Sequence, residues 1–290
     1  VRVYCSENRI TYICYESGHQ FGLNSRCGFF SKDSQIQDLK ARSLTLKTHF
    51  DSSRMSRDFA LKWGESWLNS RVKDLKQSGP YRQFVDSTYE SISSIELKPY
   101  DLYLSTSQYE FTGCNGHQPG EPGYELDILF YLASIKTDMP LIIRFHPNSS
   151  GKDNRYFKLI NSLIRNHAQR VIKVISAEDK VNTYDLILNS SFTIVNSSLS
   201  GIEAVYLQKP CISINSGIYN SFVPYLSAER HEGILRLDSI KLSSLRKTIP
   251  TAKDIADACI YAFAYNFPHY ADDNIFQECK AKLVPNESMY

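Results

Sequence analysis

Three stretches of the sequence hold the residue types that group-transfer chemistry needs. Arg144-Phe145-His146-Pro147-Asn148 ends an apolar run. An imidazole at a strand's carboxyl end, followed by a proline that fixes the next φ, is a titratable group on a stiff backbone, fit to protonate a leaving group. A histidine satisfied locally at a strand end is the plainer alternative. Asn196-Ser197-Ser198-Leu199-Ser200-Gly201-Ile202-Glu203-Ala204 sets three serines and a glycine within five residues at a helix start. Open backbone N–H groups and the positive end of the helix dipole favour a phosphate there. An ordinary N-cap accounts for one of the serines. Glu203, in the first turn, either reaches ribose hydroxyls or complements the dipole. In Ser105-Thr106-Ser107-Gln108-Tyr109-Glu110-Phe111, Glu110 is a carboxylate facing the same cleft as His146, or a solvated loop glutamate. Glu16, in Glu16-Ser17-Gly18, is either a second carboxylate from another part of the chain or a turn residue beside a glycine.

Positioning these groups requires strands whose carboxyl ends share one edge. Short β-rich runs at Asp101 to Ser105, Leu141 to Phe145, Val171 to Ile175, Phe192 to Val195 and Cys211 to Ile214 alternate with helical windows. The windows are Tyr124 to Lys136, Asn154 to His167, Tyr184 to Asn189 and Ser200 to Leu207, with a further helix at Thr251 to Tyr265. That alternation predicts an α/β fold with a parallel sheet and crossover helices, whose ligands sit at the strands' carboxyl ends. Residues 1 to 98 are irregular, and only Arg57 to Lys76 shows a helical period, through Phe59, Leu61, Trp63, Trp67, Leu68, Val72 and Leu75. The gly-rich stretch Thr112 to Gly123 reads as a cleft lid, because Pro119 and Pro122 interrupt any helix start. The expected division is 1–98, an N-terminal domain that is partial or truncated; 99–265, a nucleotide-binding Rossmann-like domain; and 266–290, a polar tail.

Composition narrows the function classes. The chain has 290 residues, 42% hydrophobic and 22% charged, with 33 Lys+Arg against 31 Asp+Glu, which suits a globular protein and lacks the basic excess of a nucleic-acid binder. No apolar run approaches the roughly 18–20 residues that span a bilayer, so a soluble chain is expected. The seven cysteines are an odd count without a C-x-x-C pair, and the histidines lack metal-site spacing, so reduced thiols and no metal are expected. Neither a dinucleotide fingerprint nor a P-loop is present. The opening run Val1-Arg2-Val3-Tyr4-Cys5 reads as a strand of a longer polypeptide.

In this order, Arg-Phe-His-Pro-Asn, Val181-Asn182-Thr183-Tyr184-Asp185-Leu186-Ile187, the Asn196 to Ala204 stretch and Gln208-Lys209-Pro210-Cys211-Ile212 resemble the capsular polysaccharide biosynthesis family. That family contains bacterial Kdo transferases that use CMP-Kdo and have the GT-B fold, two Rossmann-like domains. The His-Pro and Ser-Ser elements are also similar to those of bacterial CMP-sialic acid transferases. The clear resemblance covers about Asp101 to Ile214. It implies that His146 contacts the donor phosphate and assists departure of CMP, while Ser197, Ser198, Ser200 and the Gly201 backbone hold that phosphate. Arg144, Pro147, Asn148, Thr183, Tyr184 and Glu203 would line the nucleotide pocket. Glu110 matches the acidic position near the anomeric carbon, as base or nucleophile, although the family's second acidic neighbour is missing here; Glu16 is the weaker match. The resemblance further implies a metal-independent enzyme without a cofactor, whose partners are the CMP-Kdo donor and a glycan or glycolipid acceptor. It places the chain in the cytoplasm, with peripheral attachment to the inner face of the membrane or to other polysaccharide-assembly proteins as an option. A CMP-sialic acid donor, or a non-catalytic GT-B module of a larger assembly protein, are the competing readings.

Overall fold

Four-residue runs buried on both faces are what a parallel sheet covered by helices requires, and this chain builds one. The structure, a computed structural model, describes residues 13–18, 27–32, 39–73, 99–106, 123–150, 158, 160–162, 166, 168–214, 217–227 and 239–266. Strands β1 (Ile13–Gly18) and β2 (Cys27–Lys32) form an antiparallel pair. Strands β3 (Asp101–Leu104), β4 (Leu141–Arg144), β5 (Ile172–Ile175), β6 (Phe192–Val195) and β7 (Cys211–Ser213) form one parallel sheet in the order β5-β4-β3-β6-β7. The helices are α1 (Leu39–Ser52), α2 (Arg57–Lys73), α3 (Gly123–Ser134), α4 (Thr183–Asn189), α5 (Ser200–Tyr206), α6 (Ser239–Leu245) and α7 (Ala252–Asn266). Between β4 and β5, helical backbone at 160–162 falls inside the expected Asn154 to His167 window.

The α/β class is therefore the observed one, and each of the five expected strands is present within a residue of its expected bounds. Among the described residues there is a single parallel sheet. Two helices went unexpected from sequence, α1 and α6. The expected lid at Thr112 to Gly123 and the tail at 266–290 lie, all but their terminal residues, outside the described residues.

Side-chain alternation splits the sheet's apolar residues between two cores. Leu102, Leu104, Ile142 and Val195 face one; Tyr103, Leu141, Ile143, Phe192, Ile194 and Ile212 face the other. The first core also takes in Phe50 of α1, Ala60 and Leu68 of α2, and Ala258 to Ala264 of α7, so the N-terminal helices and the sheet share one apolar interior. Helix α7 is buried nearly all round over 258–264 because α2 covers one side of it and α5 touches it as well. Its start is fixed by a capping box in which Asp254 Oδ2 accepts from the Thr251 amide (2.8 Å) and hydroxyl (2.7 Å), and the Asp254 amide donates to Thr251 Oγ1 (3.3 Å). At the opposite end of the sheet from the loops of interest, Asp101 is fully buried and accepts from Arg170 (2.6 Å) and from two nitrogens of Arg246 (2.8 and 2.7 Å). This clamp ties the amino end of β3 to the approach to β5 and to the end of α6.

Helix α2 buries the stripe Ala60, Gly64, Leu68 and Arg71, a three-to-four spacing that gives one face. Gly64 sets how close α2 comes to α7, because a Cβ there would overlap the Cys259 carbonyl oxygen. The approach lets Phe263 contact Phe59 (centroids 5.7 Å apart), Trp63 (5.8 Å) and Phe50 (6.4 Å) in edge-on or T-shaped pairs. On an open helix surface glycine to alanine stabilises by about 1 kcal/mol. Here the backbone overlap reverses the sign, and Gly64→Ala is expected to lower the unfolding free energy by about 1–3 kcal/mol in urea denaturation. An unchanged or raised midpoint would mean that the two helices do not cross this closely.

Candidate functional site

The sheet order places a topological switch point between β3 and β6. From β3 the chain steps outward to β4 and β5, then returns to the other side of β3 for β6 and β7, so the connections leaving β3 and β6 diverge and open a crevice at their carboxyl ends. Register fixes what stands there. Leu104 pairs with both Arg144 and Val195, and Val195 pairs with Ser213. The residues that follow, Ser105, His146, Asn196 to Ser198 and Ile214, therefore share one edge. With neighbouring strands about 4.8 Å apart, the ends of β4 and β6 are separated by about 10 Å. That span suits a phosphate and the sugar attached to it.

Ser105 and Thr106 are buried at the end of β3. Ser105 Oγ accepts from the His146 amide at 3.0 Å and the Ser105 amide donates to the Arg144 carbonyl at 3.0 Å, which extends the β3–β4 pairing beyond the strands. His146 is half-buried, and Pro147 opens a short 3-10 turn, Pro147–Ser149, in which the Ser149 amide donates to the His146 carbonyl. Asn148 sits in the same turn, its side chain outside the described residues.

Opposite stands the serine turn after β6. Asn196 is buried, and Ser197 adopts φ 56°, a left-handed conformation that costs a non-glycine residue roughly 1–2 kcal/mol. Its amide donates to Ser213 Oγ at 3.3 Å, and that oxygen also accepts from the Tyr219 hydroxyl at 2.9 Å. Burial pushes the Tyr219 phenol above its ordinary range, so it stays protonated as a donor. The Ser200 amide donates to Ser198 Oγ (3.3 Å) and the Gly201 amide to the Ser198 carbonyl (3.0 Å). Leu199 occupies the N-cap position of α5 without a side-chain cap. Gly201 lets α5 approach the sheet, since a Cβ there would stand 3.0 Å from Val195 Cγ2 and 3.4 Å from the Tyr219 hydroxyl oxygen.

Other expected pocket residues are engaged inside the protein. Glu203 is 3% exposed and accepts from Arg71 of α2, with Nε at 2.7 Å and the second nitrogen at 2.5 Å. Its carboxylate thus meets an arginine, where the sequence pointed to ribose hydroxyls or the helix dipole. Thr183 and Tyr184 are buried in the first turn of α4, which Asn182 caps by accepting from the Tyr184 amide at 2.8 Å. Burial, aided by Glu203 and opposed by Arg71, raises the Tyr184 phenol well above its usual range. Arg144 is 2% exposed, and its guanidinium donates to the carbonyls of Ser176 and Asp179, stitching the β5–α4 loop to β4.

The structure therefore brings together Ser105, His146, Pro147, Ser197, Ser198 and Ser200 along one sheet edge, and directs Arg144, Tyr184 and Glu203 into internal contacts; the amides of Ser197, Ser200 and Gly201, the last of which was expected to hold the phosphate, likewise donate within the protein. Glu110 and the side chain of Glu16 lie outside the described residues. Ser213 and Tyr219 were missed in the sequence because neither belongs to a recognisable motif. Arg71 stands outside the apolar period read from the sequence, and only the structure shows it on the buried stripe of α2. Among the described residues no group of three His, Cys, Asp or Glu side chains stands ready for a metal ion, and no helix is long and apolar enough to cross a membrane. Cys211 and Cys259 are free and buried, which raises the pKa of both thiols, that of Cys259 to about 12, and leaves them poor nucleophiles. No family model matches the chain, and no curated protein matches it.

Proposed function

We propose that the chain is a glycosyltransferase of the GT-B kind that moves Kdo from CMP-Kdo to a bacterial surface polysaccharide or glycolipid. One observation carries the reading. A half-buried histidine and a left-handed serine turn end β4 and β6 on either side of the central strand, at the switch point of a parallel sheet. Departure of CMP breaks the bond between the anomeric carbon and a phosphate oxygen and leaves negative charge on that oxygen. In this reading an imidazole that donates a proton, with the serine hydroxyls of the facing turn as further donors, stabilises this charge in the transition state. The acceptor oxygen then bonds to the anomeric carbon. In this reading its proton passes to a carboxylate, assigned to Glu110, which acts as base or, as nucleophile, first bonds to the anomeric carbon as CMP leaves and is then displaced by the acceptor oxygen. The acceptor side is assigned to residues 1–98.

The test is ligand-dependent stability. A ligand held by the folded chain alone stabilises it by about 2.7 kcal/mol at a hundredfold excess over its dissociation constant. CMP is expected to raise the thermal midpoint, and UDP and GDP at the same concentration to leave it in place. A midpoint raised by UDP or GDP in place of CMP overturns the donor assignment, and no response to any of the three overturns the transferase reading. Consumption of CMP-Kdo but not CMP-sialic acid then fixes the sugar.

A further inference from the structure

Among the described residues, two that are not glycine have φ in the left-handed region. Gln208 (58°) follows α5, where its amide donates to the Val205 carbonyl and that of Lys209 to the Ala204 carbonyl, an ordinary way to end a helix. Ser197 (56°) lies two residues past the end of β6 and two before the N-cap of α5, where no helix C-terminus calls for this conformation. Such an outlier persists when its surroundings over-determine it, and the surroundings here can be named. Ser197 donates its amide to Ser213 Oγ, and Ser213 receives the Tyr219 hydroxyl. Tyr219 itself has no room to turn. It is 1% exposed, stacks edge-on against Tyr261 of α7 (5.9 Å, 87°), and lies where a side chain on Gly217 would collide with its ring.

We propose that Tyr219, acting through Ser213, is the positioning residue that sets the left-handed turn at Ser197 and thereby nucleotide uptake. This rests on the functional reading above. Rigid contacts run from the α7 core to the phenol, from the phenol to the Ser213 hydroxyl, and from that hydroxyl to the amide of the turn. Removing one oxygen at the start of this relay keeps the ring and its packing. It takes away one of the contacts that fix the Ser213 hydroxyl, and the turn is held less firmly.

The experiment compares wild type, Tyr219→Phe, Ser197→Gly and Tyr219→Phe/Ser197→Gly, reading amide hydrogen exchange over residues 196–200 and the affinity for CMP. In Tyr219→Phe, exchange of that segment is expected to rise and CMP affinity to fall, each about tenfold, the loss of one hydrogen bond. Glycine enters the left-handed region without steric cost, so between the two chains that carry glycine at 197, both lacking the serine hydroxyl, removing the Tyr219 hydroxyl is expected to change CMP affinity by less than about twofold. A role in packing alone lowers affinity equally in both backgrounds. Unchanged exchange in Tyr219→Phe overturns the relay, as does an equal loss of affinity with serine or glycine at 197. A wild-type chain that takes up no CMP overturns the functional reading alone, and the exchange comparison still decides whether Tyr219 sets the turn.

Discussion

Replacing Arg71 with methionine is expected to cost about 3–5 kcal/mol of folding stability, the range for removing one member of a buried ion pair. Arg71 is 5% exposed and Glu203 3% exposed, with two nitrogens of the guanidinium on one carboxylate oxygen. The arginine also lies over the Trp67 ring, 4.8 Å from its centroid, so its side chain is held by packing as well as by charge. Without it, the Glu203 carboxylate stays without its cation in an interior formed by Ile202, Ala204, Val205 and Tyr184. Most of the cost is that stranded charge. The double variant Arg71→Met/Glu203→Leu is therefore expected to recover most of the stability, because an apolar pair of similar size is often no worse than the ions it replaces. Chemical denaturation of the two variants beside wild type checks both points. A single variant within about 1 kcal/mol of wild type would place the pair in the surface class, and α2 would then not be anchored to α5 by charge.

That pair also marks where sequence stops being informative. The central strands were legible because Leu141 to Arg144 and Phe192 to Val195 are continuous buried runs, which only a sheet covered on both faces produces. Helix α2 was legible through the period of Phe59, Leu61, Trp63, Trp67, Leu68 and Val72, although of these only Leu68 is buried and Phe59 is 54% exposed. Helix α1 was not. Its buried positions include Ser43, which is fully buried and accepts from the Ser221 amide at 2.8 Å, while Leu44 is 61% exposed. A polar residue inward and an apolar one outward erase the periodic signal. Partners are harder still, since Arg71 and Glu203 stand 132 residues apart and residue type alone does not show that they meet. The same holds at the serine turn. Its composition drew attention from the sequence, but the hydroxyls of Ser213 and Tyr219 that hold it come from the next strand and the turn after that.

Substituting His146 by alanine is expected to lower turnover of CMP-Kdo by about 10²- to 10⁴-fold, the usual contribution of a positioned general acid. The fold should survive the change. His146 is half-buried, and its backbone amide, which donates to Ser105 Oγ and joins this loop to β3, is retained in alanine. The effect belongs to the transition state, where charge develops on the departing phosphate. So kcat and kcat/KM should fall together, with the KM for donor nearly fixed. His146→Gln separates proton donation from mere polarity, because an amide can donate a hydrogen bond but cannot give up its proton, and little of the lost rate is expected to return. Steady-state kinetics with thermal midpoints for both variants supply the readout. Unchanged turnover removes His146 from the reaction, and a rate loss that follows a fallen midpoint assigns the ring to structure; a slow enzyme with a wild-type midpoint and KM leaves the imidazole acting on the leaving group.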